Sequence, residues 1–153
     1  MDGENRARRV ARPAIGADLP AIQYVFVNAG LSALSNVSSK SDSQPEPCFY
    51  VCESNGQLVA AIHWLAIAPE AEILAVAVDR EQRRRGHASF LMHEFLQHAA
   101  ATGIHKFFLE LRESNSAALA LYKKFGFCIT SRRLNYYRNP DEDALLLRLI
   151  LSG

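Results

Sequence analysis

The stretch that most constrains this chain is residues 72–101, EILAVAVDREQRRRGHASFLMHEFLQHAAA, where the hydrophobic period changes across a short basic turn. Residues 72–78 form an apolar run, β-branched at Ile73, Val76 and Val78, which reads as a buried strand. The dense basic segment 80–85 ends at Gly86. Beyond it, Ala88, Leu91, Met92, Phe95, Leu96 and Ala99 fall on one face of a helix that Gly103 stops, while Phe90 lies off the stripe. A strand feeding a helix through a tight turn points to an α/β architecture.

The remaining segments extend that pattern. Residues 10–14 form a short strand, and residues 18–29 a helix with Leu19, Ile22, Val25 and Phe26 on one face, Pro20 in the first turn and Gly30 as the stop. Residues 32–47, rich in Ser and Pro, read as a mobile loop. Strands over 48–54 and 58–67 flank Asn55-Gly56, a strong hairpin signal because both residues tolerate positive φ. A strand over 106–112 places Phe107, Leu109 and Leu111 on one face. Ser114 is the expected cap of a helix carrying Ala117, Ala118, Leu121, Tyr122 and Phe125, with Gly126 at its end. Strands over 127–131 and 144–150 surround a loop, 134–143. The expectation is a mixed sheet of about seven strands with helices on both faces, antiparallel across hairpins and parallel where a helix intervenes. A flexible arm, 1–8, would precede one domain, 9–153.

Composition removes several function classes. Lys plus Arg number 17 against 16 Asp plus Glu, a net charge of +1, so nothing global points to nucleic acid or an acidic membrane. No 18-residue apolar run exists, so no transmembrane helix is expected. MDGENRARRVARP lacks the apolar core of a secretory signal. Cys48, Cys52 and Cys128 read as reduced, mostly buried thiols of a cytoplasmic protein. Cys48 and Cys52 on one strand would lie about 13 Å apart, beyond disulfide reach. His93, Glu94 and His98 mimic a zinc helix, but a spacing of five turns the two rings roughly 140° apart. No metal is expected.

The turn Arg83-Arg84-Arg85-Gly86-His87-Ala88 carries the chemistry. Backbone N–H groups of such a turn can converge, the first N–H groups of the helix lack internal partners, and the helix dipole adds positive charge. That makes an anion site suited to a pyrophosphate, with Gly86 permitting close approach and Ala88 leaving room. A solvated surface turn accounts for the same residues. The loop is neither a Walker A sequence nor GxGxxG.

The pattern Arg83-x-x-Gly86-x-Ala88 after ILAVAVD resembles the acetyl-CoA pyrophosphate loop of the GNAT N-acetyltransferase superfamily. LELRESNSAALALYKKFGF resembles the family's second hallmark, and RRLNYYRNPDEDALLLRL is similar to the closing segment of its ribosomal-protein-alanine branch. The superfamily match spans 9–150, and the branch match rests on 78–150. The resemblance implies that backbone groups of Val76, Ala77 and Val78 pair with the pantetheine arm. It implies that the N–H groups of Arg84, Arg85, Gly86, His87, Ala88 and Ser89 hold the pyrophosphate, with the arginines, Arg83 included, adding donors. Asn115 would contact a pantetheine amide, Tyr122 would lie beside the thioester sulfur as general acid, and Glu110 would be the general base. Tyr136 and Tyr137 would line the acceptor side. His87 departs from the family's usual small or aliphatic residue, so it either gates the site or faces solvent.

Read without the resemblance, Glu110 shares a strand face with Phe108 and Arg112 and could be salt-bridged to Arg112, and Tyr122 could be a core tyrosine. Acetyl transfer needs a base for the incoming ammonium, an oxyanion donor such as an amide N–H near Val78, and a proton source for the thiolate. Glu72 is the runner-up base. The favoured acceptor is the N-terminal α-amine of a protein or peptide. A small amine or a lysine side chain is the alternative, and an acyl-CoA-binding sensor module without catalysis is a third reading. Either a monomer or a dimer fits.

Overall fold

The computed structural model describes residues 8–31 and 48–152. The expected arm, but for Arg8, and the expected mobile loop, 32–47, lie outside the described residues. The chain order is β1 (Arg9–Pro13), a 3-10 turn (Gly16–Asp18), α1 (Leu19–Asn28), β2 (Cys48–Ser54), β3 (Gln57–Ile67), β4 (Glu70–Val78), a second 3-10 turn (Arg80–Gln82), α2 (His87–Ala101), β5 (Lys106–Arg112), α3 (Ser116–Lys124), β6 (Cys128–Tyr137) and β7 (Glu142–Ile150). The seven strands form one mixed sheet in the order β1-β2-β3-β4-β5-β7-β6.

The β2–β3 hairpin turns at Asn55 and Gly56, both at positive φ (52° and 81°), as the sequence requires. The expected parallel pairing across helices holds at β4/β5. It fails at β1/β2, which are antiparallel although α1 separates them, because enough chain follows α1 for β2 to start beside the end of β1. β5 and β6, on either side of α3, run in the same direction but are not neighbours: β7 inserts between them, antiparallel to both. The expected loop 134–143 is mostly strand, since β6 continues to Tyr137 and β7 begins at Glu142. The local sequence lacked a strand-like alternation there. Pairing with β7 supplies the order instead.

Helices cover both faces of the sheet. α1 buries Ile22, Val25 and Phe26 against Phe49, Val51, Ala61 and Ala77. α2 buries Leu91, Met92, Phe95, Leu96 and Ala99 on the other face. Phe95 is the hub there, edge-on to Trp64 at 5.0 Å and to Phe107 at 5.9 Å. Truncating such a residue to Ala removes about 3–5 kcal/mol. Cys52 is buried, and burial pushes its thiol up to about 11, but Cys48 and Cys128 are exposed, contrary to the expectation of mostly buried thiols. Among the described residues no helix is long and apolar enough to cross a membrane.

Two irregularities shape the sheet's middle. On β4, His63 faces Ala75 but Trp64 faces Ile73, so Leu74 is an extra residue that bends the strand. β4 then pairs with β5 only over Glu70, Ala71 and Glu72, opposite Lys106, Phe107 and Phe108. Beyond Glu72 the strands part, and among the described residues the β4 edge over 73–78 has no strand partner on that side.

Candidate active site

The gap between β4 and β5 opens into a cavity of about 630 Å³. Val76 and Val78 from β4 line it, as do Arg83, Arg84, Gly86, His87, Ala88 and Ser89 from the turn and helix start, and Glu110, Asn115, Tyr122 and Tyr137 from the far side. An unpaired strand edge exposes N–H and C=O groups at regular spacing, which an extended amide chain can match as an added strand does. Of the sequence-selected residues, Ala77, Arg85 and Tyr136 are not among the walls. Ala77 is buried on the opposite face, against α1.

The loop has the shape an anion needs. Arg84 (φ 65°) and Gly86 (φ 79°) are both left-handed, and Gly86 is the N-cap of α2. Such a curl turns successive N–H groups inward, and the helix N-terminus adds its own unpaired donors. A Cβ on Gly86 would meet the Arg9 guanidinium, with Nη1 at 3.7 Å and Nη2 at 3.8 Å. The glycine is therefore required first by its backbone conformation. His87 does not face solvent: it is 2% exposed, and both ring nitrogens are buried without a hydrogen-bond partner among the described residues. Burial, and after it the charges of Arg9 and Arg85, hold its pKa below the usual imidazole value. Ser89 Oγ accepts from Lys124 Nζ at 3.0 Å, tying α2 to α3.

The far side is held by α3 and the β5–β7–β6 sheet. Asn115, not Ser114, caps α3: its Oδ1 accepts from the Ala118 N–H at 3.2 Å. Ser114 instead donates its N–H to Glu142, so its backbone belongs to the β7 side. The apolar stripe of α3 forms wall as well as core, since Ala117, Ala118 and Leu121 line the cavity while Tyr122 is buried edge-on to Phe127 at 5.4 Å. Burial pushes the Tyr122 phenol well above its ordinary value. Glu110 is not bridged to Arg112. Its partner is Arg133 on β6, at 3.5 Å. Arg112 instead bonds Glu142 at 3.3 Å and lies 4.5 Å from the Tyr137 ring centroid. Tyr136 is exposed, edge-on to Tyr137 at 5.1 Å and beside Arg133. Glu72, the alternative base, is exposed and outside the walls.

Sequence reasoning missed Arg9 behind the loop, Arg133 beside Glu110 and the bulge at Leu74. Each is made by pairing between distant segments, and no local signal announces it. The zinc mimic splits as its spacing requires: His93 sits beside Glu94 at 3.5 Å, and His98 packs on Tyr50 at 5.1 Å. Among the described residues no three His, Cys, Asp or Glu side chains gather as a metal site.

A bent strand with a free edge, a curled loop at a helix start and a carboxylate across the gap border one cavity. The chain belongs to the acetyltransferase (GNAT) family, whose model matches residues 22–127. It is 30% identical over 137 residues to the [ribosomal protein bS18]-alanine N-acetyltransferase of Escherichia coli (strain K12), covering 88% of this chain and 93% of the relative. The crystal structure of the ribosomal-protein-S18-alanine N-acetyltransferase from Escherichia coli superposes with a TM-score of 0.82 at 27% identity, over 95% of this chain and 96% of that one. A Salmonella typhimurium structure solved with its cofactor acetyl-CoA shares the fold (TM-score 0.73, 18% identity, 95% of each chain). The chain is thus an acetyl-CoA-dependent N-acetyltransferase, not a binding module without catalysis.

Proposed function

We propose that this enzyme acetylates the N-terminal α-amine of a protein, with an alanine-first ribosomal protein as the favoured acceptor, inside the cytoplasm. The observation that carries the mechanism is the pairing of walls around the β4 gap, Glu110 on β5 and Tyr122 on α3. The ribosomal-protein-alanine relative supports the acceptor. Residues 9–153 act as one domain in this reading.

Acetyl-CoA supplies a thioester carbonyl for attack. The residues present fit it: the β4 edge over Val76, Ala77 and Val78 offers backbone pairing to the pantetheine arm, and the N–H groups over 84–89 suit the pyrophosphate. Asn115 Oδ1 accepts the cap bond, which fixes the side chain and leaves its amide N–H₂ to donate to a pantetheine carbonyl. Glu110 takes the proton from the incoming ammonium, directly or through one water. An amide N–H near Val78 faces the developing oxyanion. Tyr122 is kept protonated by burial and serves the leaving sulfur as a hydrogen-bond donor. Tyr136 and Tyr137 flank the acceptor.

The test is a peptide panel with varied first residues, plus free lysine and small amines, read by thiol release from acetyl-CoA. An alanine-first peptide is expected to give the highest kcat/KM. Faster turnover of a small amine or of a lysine side chain would overturn the acceptor assignment.

A further inference from the structure

Arg9 stands on the edge strand, far in sequence from the basic loop, yet reaches it. Its Nη2 donates to the Arg85 carbonyl, and its guanidinium lies 5.8 Å from the centroid of Phe90. The strand end that carries it is fixed to the end of β2 and its hairpin turn. Arg9 pairs in register with Ser54, and Arg8 exchanges two bonds with Asn55: its N–H donates to Asn55 Oδ1 at 3.0 Å, and its carbonyl accepts from Asn55 N–H at 2.9 Å. Three residues on, Arg12 is neutralised by Asp18 at 2.7 Å and Glu53 at 3.0 Å. No carboxylate among the described residues pairs with Arg9.

We propose that Arg9 is a positioning residue for the cofactor's diphosphate. A trans peptide is planar, with its C=O and N–H pointing opposite ways. Holding the Arg85 carbonyl on the β1 side therefore turns the Gly86 N–H away from β1. Gly86 lines the cavity and Arg9 does not, so the donor is presented to the anion from the front while a charge with no carboxylate partner among the described residues sits behind it. Phe90, off the core stripe of α2, serves as the platform for the guanidinium.

This rests on the loop being the pyrophosphate site, so Gly86→Val is measured alongside. Arg9→Met keeps the stem over Phe90 and removes donor and charge. Calorimetry is expected to show acetyl-CoA binding weakened about tenfold, the size of one lost charge-assisted bond. The same loss is expected with 3′-dephospho-CoA against CoA. kcat at saturating acetyl-CoA should stay within about twofold, the signature of lost ground-state binding. The melting midpoint should move less than about 3 °C. Arg9→Lys should recover part of the affinity. Should Arg9→Met fail to fold, Arg9→Gln and Arg9→Lys carry the same comparison. Wild-type affinity in a folded Arg9→Met or Arg9→Gln protein overturns the proposal if Gly86→Val still weakens binding. If neither change weakens binding, the loop assignment itself fails. A loss confined to ligands bearing the 3′-phosphate also overturns it, because Arg9 would then be touching that group.

Discussion

The loop 83–89 and the wall made by Glu110, Arg112 and Tyr137 border one cavity but are built differently. The loop is one contiguous segment whose arginines Arg83, Arg84 and Arg85 enter no ion pair among the described residues. At the wall, Glu110 meets Arg133 and Arg112 meets Glu142, and outside the lining Arg132 meets Glu113 and Asp143. Unpaired positive charge suits a ligand that brings several negative charges and keeps them. Paired charge suits a partner that exchanges. In the proposed mechanism an ammonium arriving at Glu110 would displace Arg133, from a half-exposed pair worth less than about 1 kcal/mol. In the proposed mechanism the difference separates a side that would grip one cofactor from a side that would take and release a proton.

The sharpest break of this comparison is Glu110→Gln. It keeps shape and hydrogen bonding but removes basicity, and kcat is expected to fall about 10²- to 10⁴-fold. Acetyl-CoA affinity, belonging to the other side, should stay within about twofold. A variant with near-wild-type kcat at neutral pH would place the base elsewhere and erase the division of labour. Arg133→Met is the companion measurement, and should change KM for the peptide more than kcat.

The same division decides what the sequence could show. The hairpin at Asn55-Gly56, the α2 stripe and the loop were legible because their chemistry lies in consecutive residues. The walls from α3 were half legible: the spacing showed the stripe of Ala117, Ala118, Leu121 and Tyr122, but only the resemblance, through Tyr122, turned it toward a ligand. The partner of Glu110 was misassigned to Arg112, its near neighbour on the same strand face. Only the insertion of β7 between β5 and β6 brings Arg133 in and sends Arg112 to Glu142. Edge pairing likewise extends β6 through Tyr137, which local propensity left as loop.

On the gripping side, Gly86→Val should weaken acetyl-CoA binding by at least tenfold, about 1.4 kcal/mol. The cause is conformational. A β-branched residue resists φ of 79°, and leaving that conformation swings the loop's donors off target. Its Cβ would make only ordinary contact with Arg9. Full affinity in the folded variant would remove the loop from the comparison.

Tyr122→Phe tests a residue shared by core and cavity. One hydroxyl is lost with almost no packing, and a net hydrogen bond of about 1 kcal/mol predicts a roughly fivefold lower kcat with unchanged acetyl-CoA affinity. Because burial raises the phenol, no basic limb from Tyr122 is expected below its ordinary ionisation near pH 10. Such a limb, lost in the variant, would show a titrating acid instead of a fixed donor. Unchanged kcat with saturating peptide would leave Tyr122 as core alone.

The smallest effect comes from His87, the buried group beneath the loop. Its folded pKa lies below the unfolded value of about 6.5, so between the two the unfolded chain binds more protons. Stability therefore rises with pH through that window and is lost as pH falls below about 6.5, by at most about 1.4 kcal/mol per pH unit for one group. His63, stacked on Phe49 at 4.6 Å and likewise depressed by burial, adds a slope of the same sign. His87→Leu should remove its own share, so melting midpoints from pH 7 to pH 5 fall less steeply than in the wild type while His63 keeps the remainder. The two histidines separate by ligand. Protonating His87 beside Arg9 and Arg85 loosens the loop, so acetyl-CoA, held better by the unprotonated form, should steepen the His87 share and leave the His63 share untouched. An unchanged slope in His87→Leu would mean that the ring takes up its proton without opposing the fold, and that the loop tolerates a charge the wall would have had to pair.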